Sequence, residues 1–250
     1  MQPIVQASDV RKHFDTHCVL DGVSLAALEG QLIALIGPAG CGKSTLLRCL
    51  NGLDVPDSGT IEIDGVTWAR AAGGRAPAPE VAHELRRTVA MVFQGDSLFP
   101  HRTLLQNVMM APMMVLGVSR DEAAMGAELL LRKVGLFAEM DRYPAHLSAG
   151  QQQRGAIARA LAMSPKVMLY DEPTSALDGG MAREVLDTIA LLKDDGLTQI
   201  IATHELGFAR AASDSVMFMQ NGAVVETAPG DAMFRAPQDV RVQRFFQLFA

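Results

Sequence analysis

The stretch Gly37-Pro38-Ala39-Gly40-Cys41-Gly42-Lys43-Ser44 restricts what this 250-residue chain can fold into more than any other. It fits the pattern G-x-x-x-x-G-K-[ST]. It lies between an apolar strand, Leu32–Ile36, and a helix expected over Ser44–Leu50. Glycines let backbone N–H groups converge on phosphate oxygens, and the following helix points its positive end at the anion. Lys43 places a charge at the β- and γ-phosphates, and Ser44 offers a hydroxyl to Mg²⁺.

Around this loop the strand and helix signals alternate. Strands are expected at Ile4–Val10, Val19–Ala27, Leu32–Ile36 and Thr60–Val66, the last carrying an Asp64-Gly65 turn. Ala71–Glu80, AAGGRAPAPE, reads as a loose loop, and Thr88–Phe93 as a buried strand. From about Gly95 to Arg159 the pattern is helical, with 3–4 spacing over Leu104–Leu116 and Glu122–Lys133. Then follow a strand at Val167–Tyr170, a helix at Arg183–Lys193, strands at Gln199–Thr203 and Val216–Met219, and a helix at Val240–Phe249. Such alternation implies an α/β fold, a parallel sheet with covering helices, interrupted by a helical insert.

Composition narrows the function. Hydrophobic residues are 49% and charged residues 20%, as in a globular chain. A net charge of −6, from 22 basic and 28 acidic residues, argues against a broad basic face for nucleic acid. Three cysteines, Cys18, Cys41 and Cys49, are too few for a disulfide framework and suit a reducing cytosol. The longest uncharged stretch, Thr103–Ser119, has 17 residues and falls short of the roughly 20 a bilayer requires. No signal-peptide pattern opens the chain, so any membrane role is expected to be peripheral, through a partner.

Two further stretches carry chemistry. Val167–Tyr170 ends in Asp171-Glu172, and in a parallel sheet the carboxyl ends of the strands gather at one edge. Asp171 is expected beside the phosphate loop as a Mg²⁺ ligand, and Glu172 as the group that polarises an attacking water. Leu147-Ser148-Ala149-Gly150-Gln151 opens a helix running to about Met163, with the S-x-x-Q spacing of a capping box. Two readings stand: a well-capped helix and nothing more, or a second anion site completing a nucleotide site from another subunit.

These residues carry a family resemblance. Leu147-Ser148-Ala149-Gly150-Gln151 resembles the LSGGQ signature of ABC transporter ATPases. The phosphate loop lies upstream of it and Asp171-Glu172 downstream, in the family's order. Phe14 resembles the aromatic that stacks on adenine, Gln94 the Q-loop glutamine, and His204 the switch histidine. Ser175-Ala176-Leu177-Asp178 resembles the D-loop. Taken singly, Phe14 is an ordinary edge aromatic, Gln94 a loop polar residue, Asp178 a helix cap and His204 a plain histidine; their order carries the inference. The resemblance implies a P-loop NTPase (RecA-like) core with an N-terminal antiparallel β subdomain and an inserted α-helical subdomain. One ABC ATPase domain would cover 1–250, with a core of 1–94 plus 160–250 and a helical subdomain of 95–159.

The resemblance also implies the site. ATP is the nucleotide and Mg²⁺ its metal. Phe14 and Gly37, Pro38, Ala39, Gly40, Cys41, Gly42, Lys43, Ser44 and Thr45 would bind nucleotide. Lys43, Gln94, Glu172 and His204 would be catalytic, and Ser44, Gln94 and Asp171 would hold the metal. Two chains would pack head to tail, with Ser148, Ala149, Gly150 and Gln151 acting across the dimer and Asp178 in the D-loop. Implied partners are integral-membrane permease subunits and, indirectly, a periplasmic or extracellular solute-binding protein; no nucleic acid is implied. The implied place is the cytoplasmic face of the bacterial plasma membrane. Leu98-Phe99-Pro100 with Met109, Met110, Met113 and Met114 would form an apolar dock for the permease, although helix core is the other reading of those methionines.

The segment Thr203-His204-Glu205-Leu206-Gly207-Phe208-Ala209-Arg210 further resembles polar amino-acid importers. A non-transport ABC ATPase, regulating an envelope or division complex, is the alternative; a stand-alone P-loop kinase is a third. The chain departs from the family at Ala149, where a glycine is usual, at Gly95-Asp96-Ser97, and at Gly179-Gly180, which would loosen the D-loop. Cys41, before a helix N-terminus and near Lys43, is expected to have a lowered pKa and to alkylate first.

Overall fold

The computed structural model describes residues 2–69, 78–95 and 98–248. The chain opens with β1 (Val5–Phe14), β2 (His17–Ala27) and β3 (Leu32–Ile36), then α1 (Lys43–Leu50), β4 (Ser58–Ile63) and β5 (Val66–Ala69). Next come α2 (Pro79–Thr88), β6 (Val89–Val92), α3 (Leu104–Ala111), α4 (Arg120–Lys133) and α5 (Ala149–Leu161). The remainder runs β7 (Val167–Asp171), α6 (Gly179–Asp194), β8 (Thr198–Ala202), α7 (Leu206–Ala212), β9 (Ser215–Gln220), β10 (Ala223–Pro229), α8 (Gly230–Arg235) and α9 (Val240–Gln247).

Among the described residues there are two sheets. β2, β1, β4 and β5 form an antiparallel sheet in that order. Asp64 and Gly65, both at positive φ, make its two-residue hairpin between Ile63 and Val66. The second sheet is ordered β10-β9-β3-β8-β7-β6, parallel except for β10. Its strands are apolar without alternation because both faces are covered. In β3, Leu32, Ala34 and Ile36 enter one core, with helices α3 to α6, while Ile33 and Leu35 enter the other, with α1 and the antiparallel sheet. The period-2 pleat sends neighbours to opposite cores.

The expected strands and helices are present, with shifted ends. Five elements lie outside those expectations: β5, α2, α7, β10 and α8; the strand expected over Thr60–Val66 is β4 up to Ile63, the Asp64-Gly65 turn and the first residue of β5. Of the expected loop Ala71–Glu80, residues 71–77 lie outside the described residues, and Pro79 and Glu80 open α2. The signal for α2 was present: proline at the first position, Glu80 in the first turn, Arg86 and Arg87 in the last. The single helix expected over Leu104–Leu116 is two segments. α3 stops at Ala111, and Pro112–Leu116 forms a π-type turn, because Pro112 has no N–H for the helical ladder. The tail helix ends at Gln247 rather than Phe249, which is not described. Gly179 and Gly180 do not extend a loop: they form the first turn of α6, capped by Asp178 Oδ1, which accepts from Met181 N at 3.0 Å.

Candidate nucleotide site

Parallel pairing brings the informative residues to one edge. β3 leads into the phosphate loop, β7 into Asp171-Glu172, β8 into Thr203-His204, and β6 into Phe93-Gln94. The register aligns Val92 with Tyr170, so Gln94 and Glu172 each stand two residues past a paired position. Ligands bind at such strand ends.

The phosphate loop folds closely over the strands beneath it. A Cβ on Gly37, at φ +144°, would lie 2.0 Å from Met219 O, and one on Gly42, at φ +106°, 2.7 Å from Val19 O. Only glycine fits either place. Ala39, Gly40 and Ser44 are exposed, Pro38 and Thr45 half-buried. The Lys43 side chain is buried beneath them. Its Nζ donates to Gly37 O at 3.0 Å and Pro38 O at 3.1 Å, and stands 3.8 Å from Glu172 Oε1.

The carboxylates divide into two environments. Ser44 Oγ donates to Asp171 Oδ1 at 2.7 Å. Burial pushes the Asp171 pKa up, with the Ser44 hydrogen bond and the Lys43 charge opposing. Glu172 has a left-handed backbone, φ +47°, which costs a non-glycine residue free energy. Neighbours hold it there: its N–H donates to Ala202 O at 2.9 Å, and its carbonyl accepts from Ser175 N at 3.2 Å and Ser175 Oγ at 3.1 Å. The side chain thus meets His204, with Oε1 2.8 Å from Nε2. Lys43, Ser44, Asp171, Glu172 and His204 therefore form one contiguous cluster.

Other expected residues stand apart from it. Phe14 is 46% exposed at the end of β1, with Lys12 Nζ 5.4 Å from its ring centre. Gln94 is exposed at the sheet edge. Ser148 caps α5 in a complete capping box: Gln151 N donates to Ser148 Oγ at 3.2 Å, and Ser148 N to Gln151 Oε1 at 2.9 Å. Ser148 and Ala149 are exposed. Gly150 is buried, and a Cβ there would touch Met181 Cβ at 3.0 Å. Among the methionines, Met109 is core, while Met113 and Met114 are exposed. The sequence does not distinguish Gln153 from the two glutamines before it, yet it is buried, and its Nε2 donates to Phe93 O at 3.2 Å.

Cys41 corrects an expectation. It is 4% exposed, and burial raises its thiol pKa against the lowering pull of Lys43. A helix terminus lowers the pKa of a thiol open to solvent, whereas Cys41 lies in the core that α1 shares with the antiparallel sheet. Cys49 is also buried, its pKa pushed up to about 12, while Cys18 is half-buried. Brief maleimide treatment at neutral pH should therefore label Cys18 before Cys41 and Cys49. Peptide mass spectrometry checks the order; Cys41 labelling first contradicts its burial.

A parallel sheet that gathers a phosphate loop, a hydroxyl–carboxylate pair and a carboxylate–histidine pair at its strand ends defines a P-loop ATPase. The sequence relatives agree: a family described as "ABC transporter" matches residues 20–175, and the chain belongs to that family. It is 47% identical to "Octopine permease ATP-binding protein P" of Rhizobium radiobacter, over 99% of this chain and 96% of the relative. It is 46% identical to "Glutamate transport ATP-binding protein GluA" of Corynebacterium glutamicum, over 97% of each. Its structure resembles a dimeric ATP-binding cassette in a post-hydrolysis state bound to ADP and Pi, with a TM-score of 0.79 and 30% identity over 90% of this chain and 98% of the other.

Proposed function

We propose that this chain is the ATP-hydrolysing subunit of an ABC importer for polar amino acids. The observation that carries it is the cluster of Lys43, Ser44, Asp171, Glu172 and His204 at one sheet edge. Lys43 pairs with the β/γ-phosphates, the loop from Gly37 to Thr45 cradles them, and Phe14 stacks on adenine. Glu172 orients the attacking water, and His204, touching Glu172, holds it in position. One hydroxyl and one carboxylate 2.7 Å apart suit Mg²⁺, which takes few protein ligands and keeps phosphate and water oxygens. Ser44 and Asp171 would hold the ion, with Gln94 as a further ligand brought up from the sheet edge; bound there, the ion would neutralise charge developing on the phosphates.

One ABC ATPase domain spans 1–250: a core of 1–94 with 160–250, and a helical part, 95–159. Two copies pack head to tail, with the exposed Ser148–Ala149 end of α5 facing the partner's nucleotide and Asp178 placing the intervening loop. Among the described residues no helix is long and apolar enough to cross a membrane. The chain works at the cytoplasmic face of the plasma membrane, against permease subunits served by a solute-binding protein. The exposed Met113 and Met114 support a docking face there.

Removing the chain from its host should abolish uptake of a radiolabelled polar amino acid, and the purified chain should release ADP and phosphate from MgATP. Transfer of the γ-phosphate to an acceptor other than water would replace this reading with a kinase. The dimer has its own test. Ser148→Arg should leave nucleotide affinity of the monomer intact but abolish ATP-driven dimerisation in a Glu172→Gln background. A dimer peak retained on a sizing column refutes the role across the interface.

A further inference from the structure

Three consecutive glutamines open α5 and do three different things. Gln151 closes the capping box on Ser148. Gln152 Nε2 donates to Leu147 O at 3.1 Å. Gln153 turns the other way, into the protein, where its Nε2 donates to the carbonyl of Phe93, the residue before Gln94. Gln153 is 6% exposed and Phe93 39%, so the donor is buried while the acceptor lies nearer the surface, and losing the bond leaves a buried amide without its partner.

The geometry around it ties α5 to the end of β6. Beyond Gly95, Phe99 is held by α5 through Arg159, whose guanidinium lies 5.0 Å from the ring centre. It is held by α3 through Asn107, which accepts from Phe99 N at 2.7 Å and donates to Phe99 O at 3.2 Å. Gly95 itself lies at φ +84°, the left-handed region that favours glycine. Gly95, Ala149, Gln153, Glu172, Ser175 and Leu177 line one small cavity. The first turn of α5, the approach to Gln94 and the segment after Glu172 thus share one packed space.

We infer that Gln153 is a positioning residue that links the exposed Ser148 end of α5 to the backbone carrying Gln94. This rests on the nucleotide reading of Ser148 and Gln94 given above. In a head-to-tail dimer, Ser148 meets the partner's nucleotide while Gln94 serves the chain's own. A shift of the α5 first turn on one nucleotide is then passed through Gln153 to the other site. The hydrogen bond makes hydrolysis at the two sites interdependent without itself touching nucleotide.

The test compares wild type with Gln153→Met, which keeps the volume but removes the donor, and Gln153→Glu, which sets a carboxylate oxygen against the Phe93 carbonyl. Affinity for a fluorescent ATP analogue and the thermal midpoint are measured beside steady-state hydrolysis. Wild type should show a Hill coefficient for MgATP above one. Gln153→Met should bind the analogue as wild type does, keep KM within about twofold, lose about fivefold in kcat, the size of one neutral hydrogen bond, and move the Hill coefficient toward one. Gln153→Glu should lose at least as much. A wild-type coefficient of one overturns the inference. So does a variant with wild-type kcat and coefficient, or one whose kcat falls only in step with its folded fraction. A wild-type chain that fails to bind the analogue overturns the nucleotide reading instead.

Discussion

Glu172→Gln should bind MgATP with wild-type affinity and hydrolyse it about 10²–10⁴ times more slowly, the usual loss when a general base is removed. The expectation follows from how Glu172 is held. Its backbone is pinned in the left-handed region by Ala202 O and the Ser175 turn, so the side chain leaves β7 toward the phosphate loop. Its Oε1 is shared by His204 at 2.8 Å and Lys43 at 3.8 Å. Glutamine keeps the shape and the affinity for phosphate groups but not the basicity. ATP should therefore accumulate in a closed dimer, visible as a nucleotide-dependent shift on a sizing column. Near-normal phosphate release by the purified variant would remove Glu172 from the role. His204→Ala should resemble it, because without the imidazole the carboxylate is no longer oriented.

Lys43→Ala should lose nucleotide binding and turnover together. The ammonium is already buried, and neutral carbonyls of its own loop, Gly37 O and Pro38 O, hold it in place. The phosphate oxygens of a nucleotide bound there would offer it charged acceptors instead. Each charged hydrogen bond contributes about 1.5–3 kcal/mol, about ten- to a hundredfold in affinity. Titration with a fluorescent ATP analogue and a phosphate-release assay, run on the same preparation, measure both losses. Retention of affinity within about threefold would show that the loop is not the nucleotide site.

The elements that carry the candidate site residues were legible because local physics writes them locally. A glycine pattern between an apolar strand and a helix has few other uses, and Leu32–Ile36 reads apolar because both its faces are covered. The capping box at Ser148 and the cap at Asp178 depend only on neighbours three residues away. By contrast, α7 and α8 are short, seven and six residues, and carry too little periodicity to stand out. The half-exposed edge strand β10 was missed although Asn221 and Gly222, both at positive φ, turn the hairpin into it.

Read alone, then, the sequence determined the fold class, the phosphate loop, the acidic strand end and the capped helix, since each is set by residues close together along the chain. Tertiary structure decided the rest. Cys41 turns inward because the loop lies against Val19 and Met219, strands far away in sequence, so burial overrules the helix terminus beside it. Glu172 reaches His204 only because β7 and β8 are adjacent in register. Of three identical glutamines only Gln153 faces β6, because a helix advancing 100° per residue sends neighbours to different sides, and packing chooses which side is inside.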